Sequence, residues 1–366
     1  SIVLIILGEQ ISNAYVTAEG IRGNWSPEPV SVGDLFAGAL LPGLLLVGLY
    51  ILYQIAIAIL KPSAAPALKP ELQTPGSPSA LRALLSALVP PVILIVAVLG
   101  SILMGIATAT EAASVGAVGA LLLGGKMRGG VTTFLVYAAG VSLFAILLLN
   151  HFYDFRIGAE GMNASGRRGL IFLVPLLLLT LAGMGASLWH LQKSGLLREV
   201  CKGTLEMTAM VFTILIGATI FSLVFRGLGG DSLVQEILTG LPGGTLGALI
   251  AVMAVIFVLG FFLDFVEISF VVVPIVAPVL LLMGINPVWL GVMIALNLQT
   301  SFLTPPFGFA LFYLRGAAPK DITTGMIYKG VIPFVLIQLL ALLLLALFPE
   351  LATWLPSAIF GSNFKT

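Results

Sequence analysis

Charge is scarce in this sequence: Lys, Arg, Asp and Glu make up 9% of its 366 residues, where a soluble domain carries about 25%. That shortage leaves no polar shell for a large water-soluble globule. The net charge is +1, so no basic surface is available for nucleic acid. A single cysteine, Cys201, excludes a disulfide framework and any cysteine-built metal cluster. The two histidines, His151 and His190, stand at the ends of apolar runs, where an interfacial role fits better than metal ligation. No nucleotide-binding glycine loop, zinc motif or nucleophile constellation is present. The short glycine runs Gly227–Gly230 and Gly243–Gly244 fall at helix ends and lack the Walker spacing.

The bulk of the chain is apolar instead: 59% of residues are hydrophobic and the mean hydropathy is +1.14. Several runs reach the roughly 20 residues that a helix needs to cross a hydrocarbon core. The fold class is therefore an all-α polytopic membrane protein. Leu35–Leu60 reads as one span, with Pro42 tolerated near its start. Residues 61–80 form a Pro/Ala/Ser-rich linker. Leu84–Leu123 is too long for one crossing and breaks at Gly105–Glu111, which gives a pair of spans. Val131–Asn150 and Gly169–His190 flank a polar loop with Asp154, Arg156, Arg167 and Arg168. Thr204–Phe225 comes after a basic stretch with Lys193, Arg198 and Lys202. The opening run to Leu7 is too short to span and has no basic n-region of a signal peptide. It reads as the tail of a helix, with 9–33 a polar loop, and the expectation is a C-terminal portion of a longer protein.

The last third carries the candidate site. Leu246–Leu282 would measure roughly 55 Å as one helix, too long for one crossing, and Asp264 and Glu267 interrupt its centre. It is either two full spans or a re-entrant hairpin, and positive charge decides. With a hairpin, 11 Lys and Arg fall on one side and six on the other; with two spans the split is nine against eight. The positive-inside rule favours the hairpin. Next, Asn297–Gly308 contains Pro305 and Pro306, which remove backbone donors and prevent a continuous helix. The segment 287–314 is therefore a discontinuous helix, and Val331–Phe348 is the closing span.

Ionisable groups at membrane depth are costly and mark function. A hairpin tip facing an unwound helix gives free carbonyls and hydroxyls near the midplane, a common design for ion sites in secondary transporters. The candidate ion and substrate ligands are Asp264, Asn297, Gln299, Thr300, Ser301 and Thr304. Asp264, Thr300 and Thr304 form the core of a sodium site, with Ser269 and nearby carbonyls also within reach. The competing reading of Asp264 is a helix cap. Capping is the better reading for Glu267 and for Glu111, which follows Thr108 and Thr110.

Four stretches carry a resemblance: TATEAASVGAVGALLL (108–123), ILIGATIFSLVFRGLGG (214–230), GFFLDFVEISFVVVPIVAPVL (260–280) and NLQTSFLTPPFGFALFYLRGAAP (297–319). They resemble the large membrane subunit of TRAP transporters, the tripartite ATP-independent periplasmic family. SIVLIILG at the start resembles the half-helix that comes after a Pro-Pro in that family's first broken helix, and SVGDLFAGALLPGLLL (31–46) fits the span after it. The resemblance implies an elevator-type fold of two inverted repeats, each with a re-entrant hairpin and a discontinuous helix. It divides the chain into 1–60, the end of the first repeat; 61–82, a cytoplasmic linker; 83–128, paired spans; 129–192, two extra spans outside the family pattern; and 193–366, the second repeat. It also implies a multi-pass protein of the bacterial inner membrane. Its partners would be a small membrane subunit and a periplasmic substrate-binding protein that delivers an organic acid of dicarboxylate type. Uptake would be coupled to sodium, with no organic cofactor. Two rival readings are an intramembrane lipid-modifying enzyme, for which no metal-binding acid cluster is present, and a nonfunctional remnant of a truncated gene.

Overall fold

The computed structural model describes residues 2–63, 80–124, 131–153, 155, 157–158, 161–162, 164–304, 309–319, 322–361 and 364. Pro305–Gly308, most of the linker, Lys126, Arg128, Asp154, Arg156 and Lys320 lie outside them. The chain divides into two units, Ser1–Pro75 with Met210–Thr366, and Gly76–Ala209. Among the described residues, five helices are long and apolar enough to cross a bilayer, and a bent pair would make a sixth.

In the first unit α1 (Ile2–Ile21) is helical throughout, so the expected loop over 9–33 begins much later. The reason is a stripe of buried residues, Leu7, Ile11, Ala14 and Ala18, spaced four, three and four apart as one helix face requires. Glu9, Gln10 and Asn13 interrupt the apolar run and mask that period. Past the end of α1, Arg22 donates to Glu19 at 2.7 Å and to the carbonyls of Leu281 and Leu282 at 2.7 and 3.1 Å. One guanidinium thus satisfies the last carbonyls of a second helix. Hydrogen bonds from Asn24 and Arg22 hold the Glu19 carboxyl below its ordinary range.

Helix α2 (Val32–Leu60) starts at a capping box, Ser31 with Asp34. Its Gly38 sits against two later helices, where an added Cβ would lie 2.7 Å from Val288 Cγ1 and 2.8 Å from the Ala352 carbonyl. In the second unit, α3 (Ala80–Leu103) and α4 (Ala109–Gly124) are separated where the sequence places the break. Thr108 donates to Glu111 from its backbone N–H at 2.8 Å and its hydroxyl at 3.0 Å, so Glu111 caps α4. Helices α5 (Val131–Phe152) and α6 (Ala164–Lys193) flank a two-residue pairing of β1 (Ile157–Gly158) with β2 (Gly161–Met162). They approach closely at Gly183, whose added Cβ would lie 2.3 Å from Ala139 Cβ. Ser142 and Thr180 hydrogen-bond across the same interface at 2.8 Å. Small residues and one polar contact are what membrane helices use to associate, because lipid gives no hydrophobic drive.

Helix α7 (Leu196–Gly227) runs from one unit into the other. Next come α8 (Gly230–Thr239) and α9 (Gly244–Leu259), bent by 119° across Gly240–Gly243. Gly243 and Gly244 have φ of 94° and 60°, a left-handed turn that side chains resist. The remaining helices are α10 (Phe265–Glu267), a π turn (Ile268–Val272) and α11 (Val273–Leu282), then α12 (Pro287–Ser301), α13 (Phe309–Ala317), α14 (Thr324–Leu347) and α15 (Glu350–Phe360). Neither α8 nor α15 is foreshadowed by the hydropathy pattern. Pro42 in α2 and Pro333 in α14 lie at similar depths in helices capped by Ser31 and Thr323, as two related spans would have them.

Candidate functional site

Helix α12 is the hub on which the site is built, since 12 of its 15 residues are buried. Its start is fixed by Asn286, whose side chain accepts from the N–H groups of Val288 and Trp289 at 3.0 and 3.1 Å. Pro287 at the first helical position has no N–H to leave unpaired. Trp289 Nε1 donates to the Leu345 carbonyl of α14 at 2.8 Å. Asn297 Nδ2 donates to the Met253 carbonyl of α9 at 2.8 Å. These two bonds pin α12 to both neighbours.

Helix α9 and the segment Phe265–Leu282 form the two arms of a hairpin, about 24 and 27 Å long at 1.5 Å per residue. Its base closes where Thr245 Oγ1 donates to the Met283 carbonyl at 3.4 Å. Its tip meets the C-terminal end of α12. A Cβ added at Gly260 would lie 2.1 Å from Ser301 Oγ and 2.5 Å from Ser301 Cβ, and the Phe265 and Phe302 rings pack edge to face at 5.7 Å. The described chain leaves α12 at Phe302 and resumes helix at Phe309. The hairpin tip therefore stops at the interruption between two half-helices.

Asp264 and Glu267 form a capping box on the second arm. Asp264 Oδ1 accepts from Phe265 N–H at 2.7 Å, and Glu267 Oε2 accepts from Asp264 N–H at 3.0 Å. Glu267 is thus the cap that the sequence suggests, and Asp264 also caps. The π turn comes at once after it, a feature common at functional sites. Within it Ser269 Oγ is fully buried and has no hydrogen-bond partner, which a native interior seldom tolerates without a ligand or water. On α12, Thr300 and Ser301 are buried, and their hydroxyls donate to the carbonyls of Leu296 and Asn297 at 3.0 and 3.4 Å. Thr304 Oγ1 donates to the Thr300 carbonyl at 2.9 Å. These hydroxyls have spent their protons on the helix and keep only lone pairs to offer. A cluster of such oxygens suits a hard cation.

Not every residue singled out in the sequence joins that cluster. Gln299 is exposed and lines a cavity of about 290 Å³ with Ala39 and Pro42 of α2. Two residues on from Asn297 is about 200° around a helix, so both cannot face the tip. Asn297 is better described as a brace between α12 and α9 than as a free ligand. Sequence reasoning missed the Gly260–Ser301 approach, for which the glycine at the end of α9 was the one signal; it named Ser269 as an oxygen within reach but not that its hydroxyl is buried without a partner.

Sequence similarity to known proteins places the chain in a family. The family model described as tripartite ATP-independent periplasmic transporter, DctM component, matches residues 27–148 and 169–351. The chain belongs to that family. The match runs through most of α5 and α6 and leaves out only 149–168 between its two segments. The C4-dicarboxylate TRAP transporter large permease protein DctM of Vibrio cholerae is 27% identical over 337 residues, 92% of this chain and 63% of its own length. The sialic acid TRAP transporter permease SiaT of Haemophilus influenzae is 27% identical over 159 residues, 43% of this chain and 26% of its own length. The ectoine permease TeaC of Halomonas elongata is 30% identical over 161 residues, 44% of this chain and 37% of its own length. The chain thus spans between about a quarter and two thirds of each of these DctM relatives. All three are named as permeases, none as an enzyme.

Proposed function

We propose that the chain is the permease component of a sodium-coupled, binding-protein-dependent transporter of organic acids in the bacterial inner membrane. The observation that carries this reading is the meeting of the hairpin tip with the end of α12, at Gly260 with Ser301 and Phe265 with Phe302. Secondary transporters place coupling-ion sites at such junctions, where half-helix ends and unwound carbonyls face a substrate. Thr300, Ser301 and Thr304 supply oxygen lone pairs there, and Asp264 the negative charge. The acid class is drawn from the C4-dicarboxylate relative, whose similarity covers 92% of this chain. A small membrane subunit and a periplasmic binding protein complete the proposed system.

Asp264→Asn separates the ion role from the cap, because Asn caps helices about as well as Asp but has no charge. In proteoliposomes with both partners, this variant should express normally and need several-fold more sodium for half-maximal uptake. Unchanged sodium activation would reduce Asp264 to a cap and sink its place in the site.

A further inference from the structure

A cleft with two polar stripes in a largely apolar lining lies apart from the tip, within the first unit. It is walled by α1 and the Met210–Gly227 part of α7, floored by Phe270 and Pro274 of the second hairpin arm, and holds about 350 Å³. That volume is in the range of small-molecule sites. Helix α1 turns Gln10, Asn13 and Thr17 to it, and α7 turns Thr219, Ser222 and Arg226. Each set is spaced three and four residues apart, so each is a polar stripe on one helix face. Polar stripes on apolar membrane helices are costly unless they line water or bind something. The side chains of Gln10, Asn13 and Ser222 have no hydrogen-bond partner among the described residues. Arg226 is the one cation among the lining residues, and no acid lines the cleft. Its Nε lies 3.4 Å from Asp231 of α8, in a pair exposed on both sides, which a better-placed anion can displace.

We infer that this cleft binds a small carboxylate, anchored by Arg226 and held by donors from Gln10, Asn13 and Ser222. Guanidinium and amide donors are the chemistry that recognises a carboxylate, and the acid that competes for Arg226, Asp231, lies outside the cleft lining in an exposed pair. As a station on the path of the organic acid the cleft rests on the transport reading; as a carboxylate site it is tested separately. In the chain with Cys201→Ser, single cysteines are placed at Thr219, in the cleft, and at Ile216, an exposed apolar position on the same helix. Charged thiosulfonate reagents should modify Thr219→Cys many-fold faster than Ile216→Cys, the anionic reagent ahead of the cationic one. Millimolar succinate in sodium-free buffer should slow modification at Thr219→Cys several-fold. Arg226→Gln should abolish that protection, and Arg226→Lys should keep part of it. Equal rates at the two cysteines, or protection that survives Arg226→Gln, would overturn the inference. Because sodium is absent, failure here is distinct from an unchanged sodium response in Asp264→Asn.

Discussion

The contact between the hairpin tip and α12 can be tested by adding a single methyl group. Gly260 has φ −64° and ψ −9°, a conformation that alanine adopts freely, so Gly260→Ala should gain about 0.4–1 kcal/mol from the unfolded chain. Against this, the new Cβ would stand 2.1 Å from Ser301 Oγ and 2.5 Å from Ser301 Cβ, where carbon atoms need about 3.5 Å or more. Rotating the serine moves Oγ but not Cβ, so the tip or the end of α12 must shift by about 1 Å. Overpacking of that kind costs about 1–3 kcal/mol, and the net expectation is a loss of about 1–2 kcal/mol. Ser301→Gly removes both clashing atoms, with a helix-propensity cost of about 0.5 kcal/mol. In that background Gly260→Ala should be neutral or slightly stabilising, whereas Ser301→Ala, which keeps the Cβ, should rescue little. The cycle is read by equilibrium unfolding in mixed micelles, followed by the fluorescence of the four tryptophans. If Gly260→Ala costs the same with serine or glycine at 301, the two residues do not touch, and the tip-to-break geometry is wrong.

Three further outcomes are expected. Cysteines at Thr245 and Gly284, in a background lacking Cys201, should both react with an impermeant reagent added from the periplasmic side, because the hairpin base closes between Thr245 and Met283; labelling of only one contradicts a re-entrant hairpin. Gly38→Ala should destabilise by about 1–3 kcal/mol, since one of its neighbours is the Ala352 backbone carbonyl and cannot swing away. Gly43→Ala on the same helix meets nothing within 4 Å and should cost a few tenths of a kcal/mol at most, so equal effects would refute the packing of α2. The Glu19 carboxyl is held below its ordinary range by Asn24 and Arg22, so its contribution is present above the unfolded value of about 4.3 and lost as pH falls through the lower folded value. Stability measured from neutral pH into that acid range should fall less steeply in Glu19→Gln; identical slopes would show that the Arg22 knot is not formed.

Much of the architecture was legible in the sequence because lipid solvates each segment separately. A run such as Leu35–Leu60 or Val331–Phe348 is apolar whatever its neighbours are, so its length and composition announce a span. The capping boxes were legible for a similar reason: Thr108 with Glu111 and Asp264 with Glu267 are three residues apart and need no distant partner. The length of 246–282 and the acids at its centre allowed either two spans or a hairpin, and the Lys and Arg tally of the flanking loops favoured the hairpin. Helix α1 was not legible, because polar residues break its apolar run and its stripe of Leu7, Ile11, Ala14 and Ala18 gains its meaning only against other helices. The site residues were legible as a composition but not as a geometry. Asn297, Gln299, Thr300, Ser301 and Thr304 stand together in the chain, while the helix turns Gln299 outward and commits Asn297 to the Met253 carbonyl. Which arm meets which half-helix, why Gly260 has no room for a side chain, and why the Ser269 hydroxyl is stranded were decided only by the tertiary structure. These are properties of two surfaces brought together by close packing, and no single stretch of sequence holds both.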